Sequence, residues 1–355
     1  MKKKILSLAL AAAMLTGVVS LSACGGNNGS TASSGSNAGG AAGSSYELKI
    51  ATTGNDKHQS TIAAEAFAEK IAELSGGQIT ATVYPNSSLG SEREAAEGVK
   101  MGSLEMTVVT TDGTLPNWVP ETQVLSIPYL FETKEEAYYV LDNFLQEELA
   151  PKFEEQGIKH LAFCELGFRH FTTNGKEIKS AADLAGQSIR VQEATIWFAL
   201  ADSLGFIATP IAFNELYTAL QQGTVDGQEN PITSIATSAF DEVQKYMCLD
   251  GHTYGAESII MNLDLYNGMT EEQQGWIDEA AAYARDYQRE TVDAMEQDYL
   301  QQIKDNGVIV CEDPDIQSFK DATADMYKRE DVAALVDPSL TEAVMAKVEE
   351  FNASK

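Results

Sequence analysis

The run LAGQSIRVQEATIWFALADSLGFIATPIAFNELYTALQQGTVDGQENP, from Leu184 to Pro231, switches repeatedly between strand-like and helix-like patterning. QSIRVQ alternates, placing Ile189 and Val191 on one face and Ser188, Arg190 and Gln192 on the other, which predicts a strand. ATIWFALADSLG reads as a helix, IATPIAF as a second strand, and NELYTALQQG as a second helix with Leu216, Tyr217 and Leu220 on its apolar face. Asn214 is placed to cap that helix and Gly223 to stop it. A short strand then leads into Gln228, Glu229, Asn230 and Pro231, a row of amide and acid side chains that core packing does not require. Alternation of this kind indicates an α/β fold with parallel strand pairing.

The same alternation extends to both sides. ELKIAT is a strand, and STIAAEAFAEKIAELSGG is an amphipathic helix with Ile62, Phe67, Ile71 and Leu74 on one face and Gly76 at its stop. ITATVYP is a half-buried strand, SEREAAEGVKMG a short helix opened by Ser91, and EMTVVTTD a buried strand ending near Thr110. A helix over residues 135–156 follows, then the strands IKHLAFCEL and RHFTTN and a helical turn at SAADLAG. Beyond QENP the pattern gives another helix, the strands KYMCLDG and AESIIMNL, and a long helix from Thr270 to about Asn306. Thr270 and Gln273 have capping-box spacing.

With 355 residues, 44% of them hydrophobic, the chain can build one large or two ordinary domains. Its start, MKKKILSLALAAAMLTGVVSLSAC, has the layout of a secretory signal peptide and is too short for a stable membrane span. Leu21, Ser22, Ala23 and Cys24 resemble a bacterial lipobox, which implies cleavage before Cys24 and lipidation of its sulfur; the alternative is an ordinary leader with an incidental cysteine. The Gly/Ser/Asn/Ala segment that follows suits a flexible tether, so folding begins near Tyr46. Once three lysines leave with the leader, 21 basic residues face 53 acidic ones, a formal charge of −32. Nucleic acid and anionic lipid are poor partners for such a surface. Cys164, Cys248 and Cys311 are too few for a disulfide framework and read as buried thiols with at most one bridge. His58, His160, His170 and His252 lack metal-ligand spacing, so no metal and no cofactor are expected.

An arginine between two buried apolar residues, as Arg190 is, needs a partner, and a structural Asp or Glu is the plain choice. In GFRHFTTN the period separates Arg169, Phe171 and Thr173 from Phe168, His170 and Thr172. Asn230 before Pro231 suits a helix cap. Capping uses only the amide oxygen, leaving two N–H donors for an anion.

GFRHFTTN, the run from Leu184 to Pro231, and EVQKYMCLDGHTYG occur in the order found in the substrate-binding proteins of TRAP transporters, and the chain resembles that DctP-like family. The resemblance implies a two-lobed α/β fold of the periplasmic-binding-protein type, with hinge strands near Gly167 and Gly255 and a long helix spanning both lobes. It assigns residues 46–167 and 256–295 to lobe I and 168–255 and 296–355 to lobe II, behind a signal peptide over 1–23 and a lipidated tether over 24–45. An organic acid would lie between the lobes and pass to membrane permease subunits, with membrane contact limited to the lipid anchor.

By the same resemblance Arg190 pairs with the ligand carboxylate, Asn230 is a second carboxylate contact and Arg169 a supporting cation. A guanidinium fork and an amide donor suit those roles. Glu92 and Thr110 fall where relatives contact the rest of the ligand, although Glu92 also suits the first turn of its helix. Phe213 is a candidate pocket wall, and Trp197 fits core packing better. RVQEA departs from the many relatives that carry Pro after the Val, so a relative's ligand does not transfer directly. A second carboxylate opposite Glu92 would meet a like charge. A hexuronate or aldonate is therefore expected ahead of a C4-dicarboxylate; a receptor of another importer and a secreted carbohydrate-active hydrolase with paired acids are the other readings.

Overall fold

A computed structural model describes residues 44–355; the signal peptide, Cys24 and nearly all of the tether lie outside the described residues. The first strands and helices follow the sequence pattern: β1 (Tyr46–Ala51), α1 (Gln59–Leu74), β2 (Ile79–Tyr84), α2 (Glu92–Met101) and β3 (Met106–Thr110). β1 lies between β2 and β3, parallel to both, because each return runs through a helix. α1 buries Ala63, Ala64, Phe67 and Ile71 against this sheet.

The helix expected over residues 135–156 is two segments, α3 (Lys134–Val140) and α4 (Gln146–Glu155), joined without a break by a π turn at Leu141–Leu145. Its buried residues Leu141, Leu145, Leu149 and Phe153 recur every four positions. A helix of 3.6 residues per turn would rotate that stripe away from the core, and one wider turn brings it back.

β4 (Ile158–Phe168) ends the first pass, and after it the chain builds a second sheet from β5 (His170–Thr173), β6 (Ser188–Val191), α5 (Ile196–Leu204), β7 (Ile207–Pro210), α6 (Phe213–Gln221), β8 (Gly227–Asn230), α7 (Ile232–Thr237) and β9 (Tyr246–Cys248). β10 (Tyr254–Asn262) returns to the first sheet, antiparallel to β3 and β4. After α8 (Leu263–Asn267) and α9 (Glu271–Asp305), β11 (Ile309–Cys311) joins the edge of the second sheet beside β9, and α10 (Ile316–Thr323), α11 (Glu330–Ala333) and α12 (Pro338–Ala353) complete the chain. The strand orders are β2-β1-β3-β10-β4 and β11-β9-β5-β8-β6-β7.

Two expectations fail locally. The strand read in IATPIAF stops at Pro210, and α6 begins at Phe213 with Ala212 as its cap residue, so Asn214 lies inside the first turn and does not cap it. The Phe213 ring packs edge-on against His58 at 5.5 Å and Phe240 at 5.8 Å, and this long-range packing sets the helix start where no capping side chain does. The second failure concerns Asn230, taken up below.

α9 reaches both cores. Ile277, Ala280, Ala281 and Ala284 pack with α1 beside the first sheet, whereas Leu300 and Ile303 pack with Leu216, Leu220 and Phe240 beside the second. α12 folds back onto α3, where Tyr139 stacks on Phe351 at 5.0 Å and Asn352 Nδ2 donates to Glu136 Oε1 at 2.7 Å.

Gly227 opens β8 because nothing larger fits: a Cβ there would lie 2.1 Å from the Thr172 carbonyl oxygen on the paired strand. Gly227→Ala is expected to cost roughly 1 to 3 kcal/mol through strand displacement. Urea denaturation would show this as a lowered midpoint, and an unchanged midpoint would contradict it.

Candidate functional site

Arg190 sits on β6 between Ile189 and Val191, and all three are buried because both faces of the sheet are covered at this point. Its Nε donates to the Ile211 carbonyl at 2.8 Å, while Nη1 is buried with no partner. Among the described residues no carboxylate forms an ion pair with it, in a chain that carries 53 acidic residues. The structural Asp or Glu partner is therefore absent among the described residues. Burial draws the guanidinium down to about 10; the positive charge of Arg169 acts in the same direction, and Glu229 acts against it.

Asn230 ends β8. Helix α7 starts two residues later with Pro231 as its cap residue, so the capping role read from the sequence is not the one the side chain takes. Its Oδ1 instead accepts from Arg169 Nη2 at 3.2 Å, and its Nδ2 donates to Gln228 Oε1 at 2.5 Å. The amide is thereby fixed with its second N–H still to be used.

Arg169 stands behind Asn230 and is not among the residues that line the pocket described below. Its Nε and Nη2 donate to Glu229 Oε2 and Oε1 at 2.5 and 2.8 Å, a bidentate pair, and Nη2 also reaches the Glu229 carbonyl at 2.8 Å. His252 Nε2 lies 3.4 Å from Glu229 Oε2, and its Nδ1 lies 2.7 Å from Asp250 Oδ2. Against the penalty of burial, Asp250 and Glu229 raise His252 to about 9. Burial alone would lift Glu229, but the Arg169 charge and His252 hold its carboxyl below the usual range. Trp197, fully buried with the Arg169 guanidinium 5.4 Å from its ring centre, is a core residue.

One pocket draws on both sheets and the segments beside them: His58, Glu92, Thr110 and Glu257 come from the side of the first, and Arg190, Gln192, Phe213 and Asn230 from the side of the second. Glu92 opens α2, yet the helix is capped without it. Ser91 and Glu94 form a reciprocal capping box, with Glu94 Oε2 accepting from the Ser91 N–H at 2.8 Å. Glu92 accepts instead from the hydroxyls of Thr110 at 2.9 Å and Thr114 at 2.8 Å. Gln192 abuts Gly113 of the opposite side so closely that a Cβ there would lie 1.7 Å from Gln192 Oε1.

Five lining residues escaped the sequence reading: His58, Leu166, Gln192, Ser234 and Glu257. His58 Nδ1 accepts the Ser60 N–H at 3.3 Å as the cap of α1, and burial lowers its pKa to about 4. A neutral ring that accepts at Nδ1 carries its proton on Nε2, and that atom is buried without a partner. Gln192 Nε2 and both carboxyl oxygens of Glu257 are equally unpartnered. Glu257 had a visible signal, an acid inside the buried strand AESIIMNL. His58 had none, because its position follows from the turn before α1.

Unsatisfied donors on Arg190, His58 and Gln192 thus converge with the hydroxyl-fed carboxylate of Glu92. Such a set can hold an anion at one end and hydroxyl groups at the other. Residues 50–331 match the family described as bacterial extracellular solute-binding protein, family 7, or DctP. A solute-binding protein of Verminephrobacter eiseniae is 37% identical over 285 residues, 80% of this chain and 84% of that one. A TRAP periplasmic solute-binding protein from Polaromonas, solved bound to D-erythronate, has 35% identity and a TM-score of 0.81, covering 85% of this chain and 98% of that one. Another from Sulfurospirillum deleyianum, solved with succinate, has 26% identity and a TM-score of 0.79 over 85% and 99%. The sheets described above are therefore the two lobes of a TRAP-type receptor for organic acids, and the chain belongs to the extracellular solute-binding proteins of family 7, the DctP family.

Proposed function

We propose that this protein captures a polyhydroxylated monocarboxylate, an aldonate or hexuronate, and hands it to the membrane subunits of a TRAP importer while Cys24 anchors it by lipid to the outer face of the membrane. The observation that carries the reading is the buried Arg190 guanidinium, unpaired at Nη1 in an acid-rich chain. A ligand carboxylate satisfies it, with the Asn230 amide as second donor. Arg169 contributes by holding Asn230 in place, its own charge being matched by Glu229.

The far end of the pocket carries Glu92 and Glu257 with Thr110, and Phe213 offers an apolar wall. A second ligand carboxylate would meet the Glu92 carboxylate in a low-dielectric site, whereas hydroxyls donate to Glu92. D-Erythronate in the Polaromonas protein has that pattern, one carboxylate and a hydroxylated chain. Succinate in the Sulfurospirillum protein does not, which keeps the dicarboxylate as the reading to test against. The role is that of a receptor, so the bound acid is expected back unchanged.

A thermal-shift panel of D-erythronate, D-galactonate, D-glucuronate, D-galacturonate, succinate and malate tests the proposal. A ligand at one hundred times its Kd stabilises the folded state by about 2.7 kcal/mol. Hydroxylated monocarboxylates are expected to raise Tm. A response confined to succinate or malate would overturn the ligand class, and no response to any acid would overturn the function.

A further inference from the structure

Glu257 lies on β10, paired in register with Thr110 of β3 and Cys164 of β4, and it is fully buried. Among the described residues neither carboxyl oxygen has a hydrogen-bond donor, although the residue lines the same pocket as Arg190 and Glu92. A buried carboxylate with no donor and no cation of its own is a costly species, and a carboxylic acid at the same place is not. The charged groups around it come from every neighbouring element. Glu92 faces it from α2, Asp112 from the turn after β3, Arg169 from the crossing between β4 and β5, and Arg190 from β6; the neutral His58 ring precedes α1. Arg169 is already matched by Glu229, so the nearer balance is acidic.

We propose that Glu257 is a ligand contact in carboxylic-acid form, protonated before the acid arrives and donating its O–H to a ligand hydroxyl oxygen. This rests on the organic-acid reading above and deepens it. The two acids of the far wall then divide the work: Glu257 donates to a hydroxyl and Glu92 accepts from it. Only a group that both accepts and donates satisfies the pair, which a carboxylate or a methyl does not. Burial raises the Glu257 carboxyl well above its ordinary value; Glu92 and Asp112 push the same way, and Arg169 opposes them.

Glu257 is buried between β3 and β4 of its own sheet, so its proton is in place before the ligand binds. The affinity it supports is present below the raised value and is lost as pH rises through it. Asp112, raised to about 6 by burial and with Oδ1 unpartnered, is the other buried acid beside it. Variants separate the two.

Calorimetric titration of the whole chain with each hydroxylated acid of the panel, in buffers of different ionisation enthalpy between pH 6 and 9, reads affinity and proton exchange together. The wild type is expected to bind with little proton exchange at the low end of this range and to weaken as pH rises. Glu257→Gln, which keeps a neutral donor, should bind within about threefold of wild type without that weakening, and Glu257→Ala should bind tenfold or more weakly. Thermal unfolding of the free variants reports their folding independently. Wild-type affinity in Glu257→Ala, the same weakening with pH in Glu257→Gln, or binding that depends on added Na⁺ or Ca²⁺ would each overturn the proposal. Failure of the wild type to bind any of these acids would instead refute the receptor reading for this ligand class, and the inference would fall with it.

Discussion

Arg190→Ala is expected to abolish acid binding and to leave the fold as stable as before or more so. Truncating one partner of a buried, hydrogen-bonded charge pair costs about 2 to 5 kcal/mol of affinity, which is from about thirtyfold to several thousandfold in Kd. The stability half of the expectation is the sharper one. Arg190 has no carboxylate among the described residues, and its Nη1 is orphaned. In the free protein its removal therefore takes away an uncompensated buried charge and does not create one. Titration calorimetry and urea denaturation of the same preparation check both halves. Affinity retained within about threefold would remove Arg190 from the site, and a large loss of stability would show that it holds structure instead.

Arg169→Ala should behave in the opposite way, losing about 3 to 5 kcal/mol of stability because Glu229 is left buried and ionised. Glu229 is fully buried, and Arg169 supplies both halves of its bidentate pair. The pH dependence of wild-type stability carries the same signature. His252, raised from 6.5 to about 9, contributes stability that is complete below about 6.5 and is lost as pH climbs to about 9. Glu229, held below the usual carboxylate range, contributes stability present above the ordinary carboxylate pKa and lost as pH falls below it. Urea midpoints across pH should show a plateau between these limits. A midpoint in Arg169→Ala within 1 kcal/mol of wild type would mean that His252 alone can neutralise Glu229, contrary to the bidentate geometry.

Comparing the two arginines shows what the sequence could and could not say. Both lie on strands among apolar neighbours, and local periodicity treats them alike. They differ in a contact 60 residues away, Arg169 to Glu229, which no spacing rule encodes. Strand β6 was legible because Ile189 and Val191 alternate locally, and Arg190 between them called for a partner; that no carboxylate among the described residues supplies one was not legible, since it depends on what covers the second face. Asn214 and Asn230 both had the chemistry of a helix cap and neither caps. A phenylalanine packed across the pocket fixes one helix start, and the Arg169 hydrogen bond claims the other side chain. The wider turn at Leu141–Leu145 could have been anticipated from the four-residue apolar spacing, had that spacing been compared with the helical repeat.

The long helix α9 has a mechanical consequence. Its 35 residues make a rod of about 52 Å, embedded at its first half in the core of one lobe and at its second half in the core of the other. The strand crossings between Phe168 and His170 and between Cys248 and Tyr254 are short, whereas the backbone hydrogen bonds of α9 resist a sharp bend. Any rotation of the lobes about their cargo must flex this rod or slide it against α1 or α7. A rod shared by both cores acts as a strut, so the lobes cannot turn independently of it.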